Sequence, residues 1–181
     1  MSATSAAALV LRPLRKDDEP ELQRIHETPE VAYWWGEPEP GFPWTDDPDS
    51  TRLAIELDGA VVGMIQFCEE QTPRYRHAAI DLFLDPTVHG RGIGSEAVRR
   101  LAHTLFEQRG HHRVTIDPSV ENAAAIRAYE KAGFERVGVM RRYEREPGGG
   151  AWRDGLLMDL LADSIAPGSA SAPNPAHTPD P

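Results

Sequence analysis

The sequence predicts one mixed α/β domain, a mostly antiparallel sheet of about seven strands flanked by about four helices. Residues 78–134 read as strand, glycine-rich turn, helix, strand, helix, with the period changing from two to about 3.6. On both sides lie further strand-like runs joined by reversal signals, Asp58-Gly59 and Pro147-Gly148-Gly149-Gly150. A chain of 181 residues, 40% hydrophobic and 27% charged, suits one domain with a sizeable core.

The elements follow in order. Residues 8–14 read as a strand, 17–27 as a helix and 29–35 as a short helical piece. Residues 52–57 and 61–70 read as strands joined at Asp58-Gly59. The run AAIDLFL at 78–84 is apolar enough for a strand covered on both faces. Behind HGRGIG at 89–94, Val98, Leu101 and Leu105 recur at helical spacing, and Gly110 offers a stop. A short strand opens at Arg113, Pro118-Ser119 reads as a helix start, and an Ala-rich helix runs to Gly133. Residues 135–146 and 151–161 close the sheet. The expected division is a flexible N-terminus over 1–8, the domain over 9–162 and a disordered Pro/Ala/Ser-rich tail over 163–181.

Two segments carry chemistry. Gly90, Gly92 and Gly94 leave the turn before a helix almost without side chains, so its amides, backed by the positive end of the helix dipole, suit a phosphate or pyrophosphate. No Gly-Lys-Ser/Thr follows, and the spacing is not G-x-G-x-x-G, which disfavours the P-loop and dinucleotide classes. On the later helix, Asn122 and Tyr129 lie seven residues apart, about two turns, so both are expected on one face. A tyrosine so placed is either packed core or a proton donor to a leaving thiolate.

Together HGRGIG and N-x-x-A-I-R-x-Y-E-K-A-G-F resemble the acyl-CoA-binding core of the GCN5-related N-acetyltransferase (GNAT) superfamily. Within it, Tyr33-Trp34-Trp35-Gly36, Ile80-Asp81 and Asp117-Pro118-Ser119 resemble the aminoglycoside 6'-N-acetyltransferases, the likeness spanning roughly residues 10–160. The chain departs from the superfamily at His89, where Gln or Arg usually opens the loop. The resemblance implies the GNAT fold and acetyl-CoA as cofactor. Backbone near Phe83 and Leu84 would hold the acetyl carbonyl and pantetheine arm. Val88, His89, Gly90, Arg91, Gly92, Ile93, Gly94 and Ser95 would hold the pyrophosphate. Asn122 would bond the cofactor or its waters, and Tyr129 would be the general acid. It implies Asp81 as general base and Asp117 as an amine-binding or assisting carboxylate.

The residues alone support part of this. Transfer from a thioester to an amine needs a proton acceptor, because an alkyl amine is mostly cationic at neutral pH. Asp81 is a lone charge within AAIDLFL, pointing away from Ile80, Leu82 and Leu84; it is either ion-paired or used. Asp117 ends the neighbouring strand and reads equally as a cap or as a ligand-binding carboxylate. Tyr33, Trp34 and Trp35 precede an acidic stretch, Glu37, Glu39, Asp46, Asp47 and Asp49. Aromatic faces beside acids suit a polyamine sugar.

The formal charge of −10 argues against nucleic acid and fits a cationic substrate. No apolar run is long enough for a membrane span, and MSATSAAALV lacks the basic start and longer apolar region of a secretory signal, so the expected location is cytoplasmic. Cys68, the single cysteine, is expected as a buried structural thiol rather than a nucleophile, and no metal-ligand cluster is seen. The reading is therefore an acetyl-CoA-dependent N-acetyltransferase acting by direct transfer on a cationic small-molecule amine, first of all the 6'-amine of an aminoglycoside, as a monomer or homodimer. Two rivals are an acyltransferase of siderophore synthesis or of protein N-termini, and a non-catalytic module binding acyl-CoA or a cationic ligand.

Overall fold

The computed structural model describes residues 8–44 and 49–165. The chain runs β1 (Leu9–Pro13), a 3-10 turn (Lys16–Asp18), α1 (Glu19–His26), α2 (Pro29–Trp35), β2 (Ser50–Leu57), β3 (Ala60–Glu70) and β4 (His77–Leu84). A second 3-10 turn (Pro86–Val88) leads to α3 (Ile93–Glu107), β5 (Arg113–Ile116), α4 (Ala123–Ala132), β6 (Glu135–Arg145), β7 (Trp152–Leu161) and α5 (Ala162–Ile165). The seven strands, the number expected, form one sheet in the order β1-β2-β3-β4-β5-β7-β6.

Every neighbouring pair is antiparallel except β4 and β5. That parallel pair is held at only two positions, Ala78 with Val114 and Ala79 with Thr115. Past Ala79 the two strands separate while β4 stays paired with β3 up to Leu84. The sheet therefore opens a wedge in its middle, and the site is built there.

The two sides of the sheet are covered by different helices. Val98, Leu101, Ala102 and Leu105 of α3 bury one stripe against Ile65, Phe67, Ile80 and Leu82. Each buried leucine contributes about 2 kcal/mol. On the other face Leu22 and Ile25 of α1 and Val31 of α2 pack with Phe42, Met64 and Phe83. Strand alternation thus assigns Asp81, between Ile80 and Leu82, to the α1/α2 side.

Several expectations need correction. The helix expected over 17–27 is split: Asp18 bonds Arg12 through both carboxylate oxygens at 2.7 and 2.8 Å and accepts from the Arg15 amide. Pro20 then supplies the first turn of a fresh helix. The later helix begins at Ala123, not at Pro118-Ser119, because Ser119 forms an isolated bridge with Gly155 and Asn122 becomes the cap. Cys68 is exposed, not buried. It shares a face with Met64 and Gln66, and α1 covers that face only at the Met64 end. Ala8 is pinned by Asp58 through an amide–carboxylate bond of 2.8 Å, and residues 163–165 belong to α5, so both stand outside the flexible ends expected for them. The remaining terminal segments, and Asp46 and Asp47, lie outside the described residues.

β6 is an edge strand whose side chains are nearly all exposed. Two register breaks, at Arg136/Gly138 and at Met140/Glu144, interrupt its pairing with β7 and blunt the edge. The second break turns Tyr143 and Glu144 toward the site.

Candidate active site

The wedge opens into a cavity of about 850 Å³. Phe83, Leu84 and Val88 line one side, the glycine turn and start of α3 its end, Tyr129 of α4 and Asn122 just before that helix the opposite wall, and Tyr33, Trp34 and Trp35 its mouth. Of the residues expected to meet the cofactor, only Arg91 is absent from this lining and lies exposed.

The turn is built as an anion cradle. Gly90 and Gly92 have φ of +73° and +81°, a region that side chains strain to enter, and Gly92 caps α3 with no side-chain bond to its amides. The first amides of α3 therefore point outward without an intrahelical partner. Gly94 has another reason: a Cβ there would stand 3.3 Å from Leu84 Cδ1. The His89 ring does not reach outward but turns back, with Nε2 3.1 Å from the Leu84 carbonyl oxygen. The wall opposite the cradle carries two cations that sequence reading missed, Arg127 and Lys131. They are four residues apart on one face of α4, and the Lys131 ammonium stands 3.7 Å from where a Cβ of Gly92 would be. No acid among the described residues pairs with either. Amides, helix dipole and two unpaired cations make this end fit a pyrophosphate-bearing thioester such as a CoA ester. Past Ala79 the β5-facing edge of β4 is left without a strand partner.

Three carboxylates converge beside this cavity, none of them in its lining: Asp81, Asp117 and Glu144. Asp81 is solvent-exposed on the α1/α2 side of the sheet, yet protein crowds round its carboxylate. Its pKa is pushed up to about 7, first by burial, then by the charges of Asp117 and Glu144, against one bond from the Leu82 amide at 3.0 Å. Burial also raises Asp117, partly offset by a hydrogen bond from the Tyr143 hydroxyl. The same bond, with burial and neighbouring acids, pushes the Tyr143 pKa up to about 12. Burial raises Glu144 as well. Tyr143 and Glu144 were not legible as site residues because a bulge brings them here. Gly155 makes the placement possible, since a Cβ on it would meet Tyr143 Cδ1 at 2.8 Å.

Tyr129 is 7% exposed and packs against Phe134, so it belongs to the core and to the cavity wall at once. Its pKa is raised by burial and by the charges of Asp81 and Asp117, so the phenol stays protonated throughout the neutral range. Asn122 is not a face residue of the helix but its N-cap, accepting the Ala125 amide at 3.1 Å. Its amide NH₂ remains for the cavity.

The aromatic mouth differs from the expectation. Trp35 packs edge-on against Phe83 and His26 and supports the cavity floor. Tyr33 and Trp34 already carry a cation of this chain: the Arg153 guanidinium lies 4.8 and 5.5 Å from their ring centres. Arg153 also bonds Glu146 at 3.2 Å. Glu37 and Glu39 do not reach the cavity lining, whereas Glu30, not singled out from sequence, does.

The acetyltransferase (GNAT) family model matches residues 11–134. An L-amino acid N-acetyltransferase of Escherichia coli, AaaT, is 30% identical over 142 residues, which span 75% of this chain and 88% of that protein. Aminoglycoside N(6')-acetyltransferase type 1 of Klebsiella pneumoniae is 29% identical over 140 residues, 66% of this chain and 68% of the relative. The crystal structure of aminoglycoside acetyltransferase AAC(6')-Ib in complex with coenzyme A superposes with a TM-score of 0.70 at 26% identity, covering 87% of this chain and 96% of that one. GNAT enzymes use acetyl-CoA, and the cradle and wedge here are of the kind such a cofactor needs. With the family model covering more than half of the sequence, and with relatives aligned over most of their own length, the chain belongs to the acetyltransferase (GNAT) family.

Proposed function

We propose that the protein acetylates an amine of a cationic small molecule from acetyl-CoA, the 6'-amino group of an aminoglycoside being the first candidate. The observation that carries this is the cluster beside the open edge of β4, where Asp117 and Glu144 raise the proton affinity of Asp81 and Asp117 raises that of Glu144. Like charges held together in this way favour a ligand that brings positive charge. The relative acting on aminoglycosides supports that choice of acceptor.

In this reading acetyl-CoA supplies the acetyl group as a thioester, its phosphates at the cradle with Arg127 and Lys131 facing them. Asp117 and Glu144 hold the ammonium. Asp81, with an affinity near neutrality, takes the proton that makes the nitrogen nucleophilic. Tyr129, kept protonated by its surroundings, gives its proton to the departing thiolate, whose thiol has an ordinary pKa of about 8.5. No covalent enzyme intermediate is involved, and Cys68, two residues along β3 from the position facing Asp81, takes no part.

A second reading is favoured by Arg153. A guanidinium over Tyr33 and Trp34 disfavours a further ammonium there and suits an acceptor bearing a carboxylate, as an amino acid does. The relative acting on L-amino acids agrees with it.

The test is to incubate the protein with acetyl-CoA and aminoglycosides with and without a 6'-amine, amino acids and polyamines, following thiol release and product mass. A gain of one acetyl group only on 6'-amino compounds is the expected result. Transfer to amino acids alone establishes the second reading, and no transfer to any amine overturns both.

The cofactor end makes its own prediction. Arg127→Gln and Lys131→Gln are each expected to raise the KM for acetyl-CoA about tenfold, the worth of one charge-assisted bond, with kcat little changed. The effect shrinks at high salt, and initial rates at two ionic strengths check it.

A further inference from the structure

On the acceptor side of the sheet, β2, β3 and β4 place Arg52, Gln66 and Asp81 in one cross-strand row. Directly paired residues point to the same face, so Gln66 stands beside the general base proposed above. Its side-chain oxygen lies 3.3 Å from Arg52 Nε and 3.4 Å from Ser50 Oγ. A guanidinium only donates, so the atom meeting it is the carbonyl oxygen, and the amide can be assigned one way only. The NH₂ group is thus turned away from these β2 partners. No acceptor among the described residues meets it. Arg52 is itself tied to the Pro43 carbonyl at 2.8 Å, which keeps the amide from swinging round.

We infer that Gln66 is a specificity-determining residue: its NH₂ receives an oxygen of the acceptor while Asp81 receives the proton of the amine. Side chains facing each other across two strands have Cβ atoms about 5 Å apart, so the two recognised atoms belong to one small unit. The unit that fits is an amine whose neighbouring carbon carries oxygen, N–C–C–O. The 6'-amine of an aminosugar, beside the ring oxygen, has it, and so does an α-amino acid. A polyamine, with carbon between its nitrogens, leaves the NH₂ unpaired. An unpaired donor in a crevice is costly, so the site selects against polyamines. This inference rests on the proposed N-acetyltransferase reading and narrows its acceptor class.

The test compares Gln66→Glu and Gln66→Met with the wild type on a 6'-amino aminoglycoside, an L-amino acid and spermidine. Glu keeps an oxygen for Arg52 and Ser50 but cannot donate, while Met removes both functions without adding charge. Wild type is expected to favour an oxygen-bearing acceptor over spermidine, and both variants to lose about tenfold in kcat/KM on it. Spermidine turnover by Gln66→Met should rise, because the donor that a polyamine leaves unpaired is gone, and a fall on all acceptors alike would mean a structural role and overturn the inference. An unchanged preference in both variants, with acetyl transfer intact, overturns it too. Absence of transfer by the wild type to any amine instead overturns the reading of function on which it stands.

Discussion

Replacing Asp81 by Asn is expected to lower kcat by about a hundred- to ten-thousandfold, the usual contribution of one positioned proton acceptor. The change keeps the size and the acceptor for the Leu82 amide, so the loss belongs to the proton. In the wild type the pKa of about 7 makes kcat/KM rise with pH through neutrality as Asp81 becomes able to take a proton. In the variant that limb disappears. Stability moves the opposite way. Unfolded, this carboxyl titrates near its ordinary value of about 3.9, whereas folded it holds its proton to about 7. Between those values the unfolded state binds fewer protons, so the fold loses stability as pH rises. Asp81→Asn is then the more stable protein at pH 8 and gains nothing at pH 3. Thermal unfolding at the two pH values, with a pH–rate profile, decides the matter. Undiminished kcat in the variant removes Asp81 from the mechanism.

Gly63→Ala is expected to damage both fold and cofactor binding. Elsewhere Gly to Ala tends to stabilise by restricting the unfolded chain. Here a Cβ would land on the Phe83 carbonyl oxygen, with Leu84 Cδ2 at 2.9 Å and Leu84 Cα at 3.0 Å. Two of these are backbone atoms, so no rotamer change makes room and β3 and β4 must part. The cost is about 1–3 kcal/mol, and the displaced segment is the cavity wall itself. A lower denaturation midpoint and a raised KM for acetyl-CoA are the expected pair of results. An unchanged midpoint would show that the strands separate without penalty.

Much of this was legible because the relevant signals are local. Asp81 stood out as one charge in an apolar strand, and Gly90, Gly92 and Gly94 as a turn stripped of side chains before a helix. Reversals at Asp58-Gly59 and Pro147–Gly150 ordered the strands. What escaped depends on contacts between distant segments. Tyr143 and Glu144 arrive through a bulge that follows from Gly155 on the next strand. Arg153 reaches Tyr33 and Trp34 from 120 residues away, bonding the Tyr33 carbonyl. Cys68 lies in an apolar run, and its exposure follows from how far α1 extends over the sheet. Arg127 and Lys131 looked like the solvent face of a helix until the cradle stood opposite them. The place of Asn122 differed for a smaller reason: it caps α4 with its side-chain carbonyl instead of lying on a helix face, a role that helical spacing does not register.

The parting of β4 from β5 has a consequence in exchange with solvent. Two backbone groups of β4 are satisfied by side chains in place of a neighbouring strand: the Leu82 amide by Asp81, and the Leu84 carbonyl by the His89 ring. Each stand-in can swing away when something else pairs with that edge. The Leu82 amide should exchange its hydrogen fast in the free protein and slowly with CoA bound, while the amides of β3 change little. As the strand takes its new partner, Asp81 gives up its backbone bond and is freed to receive a proton. Filling the wedge would then be the event that arms the base, so order of addition, CoA ester before amine, is written into the gap between two strands.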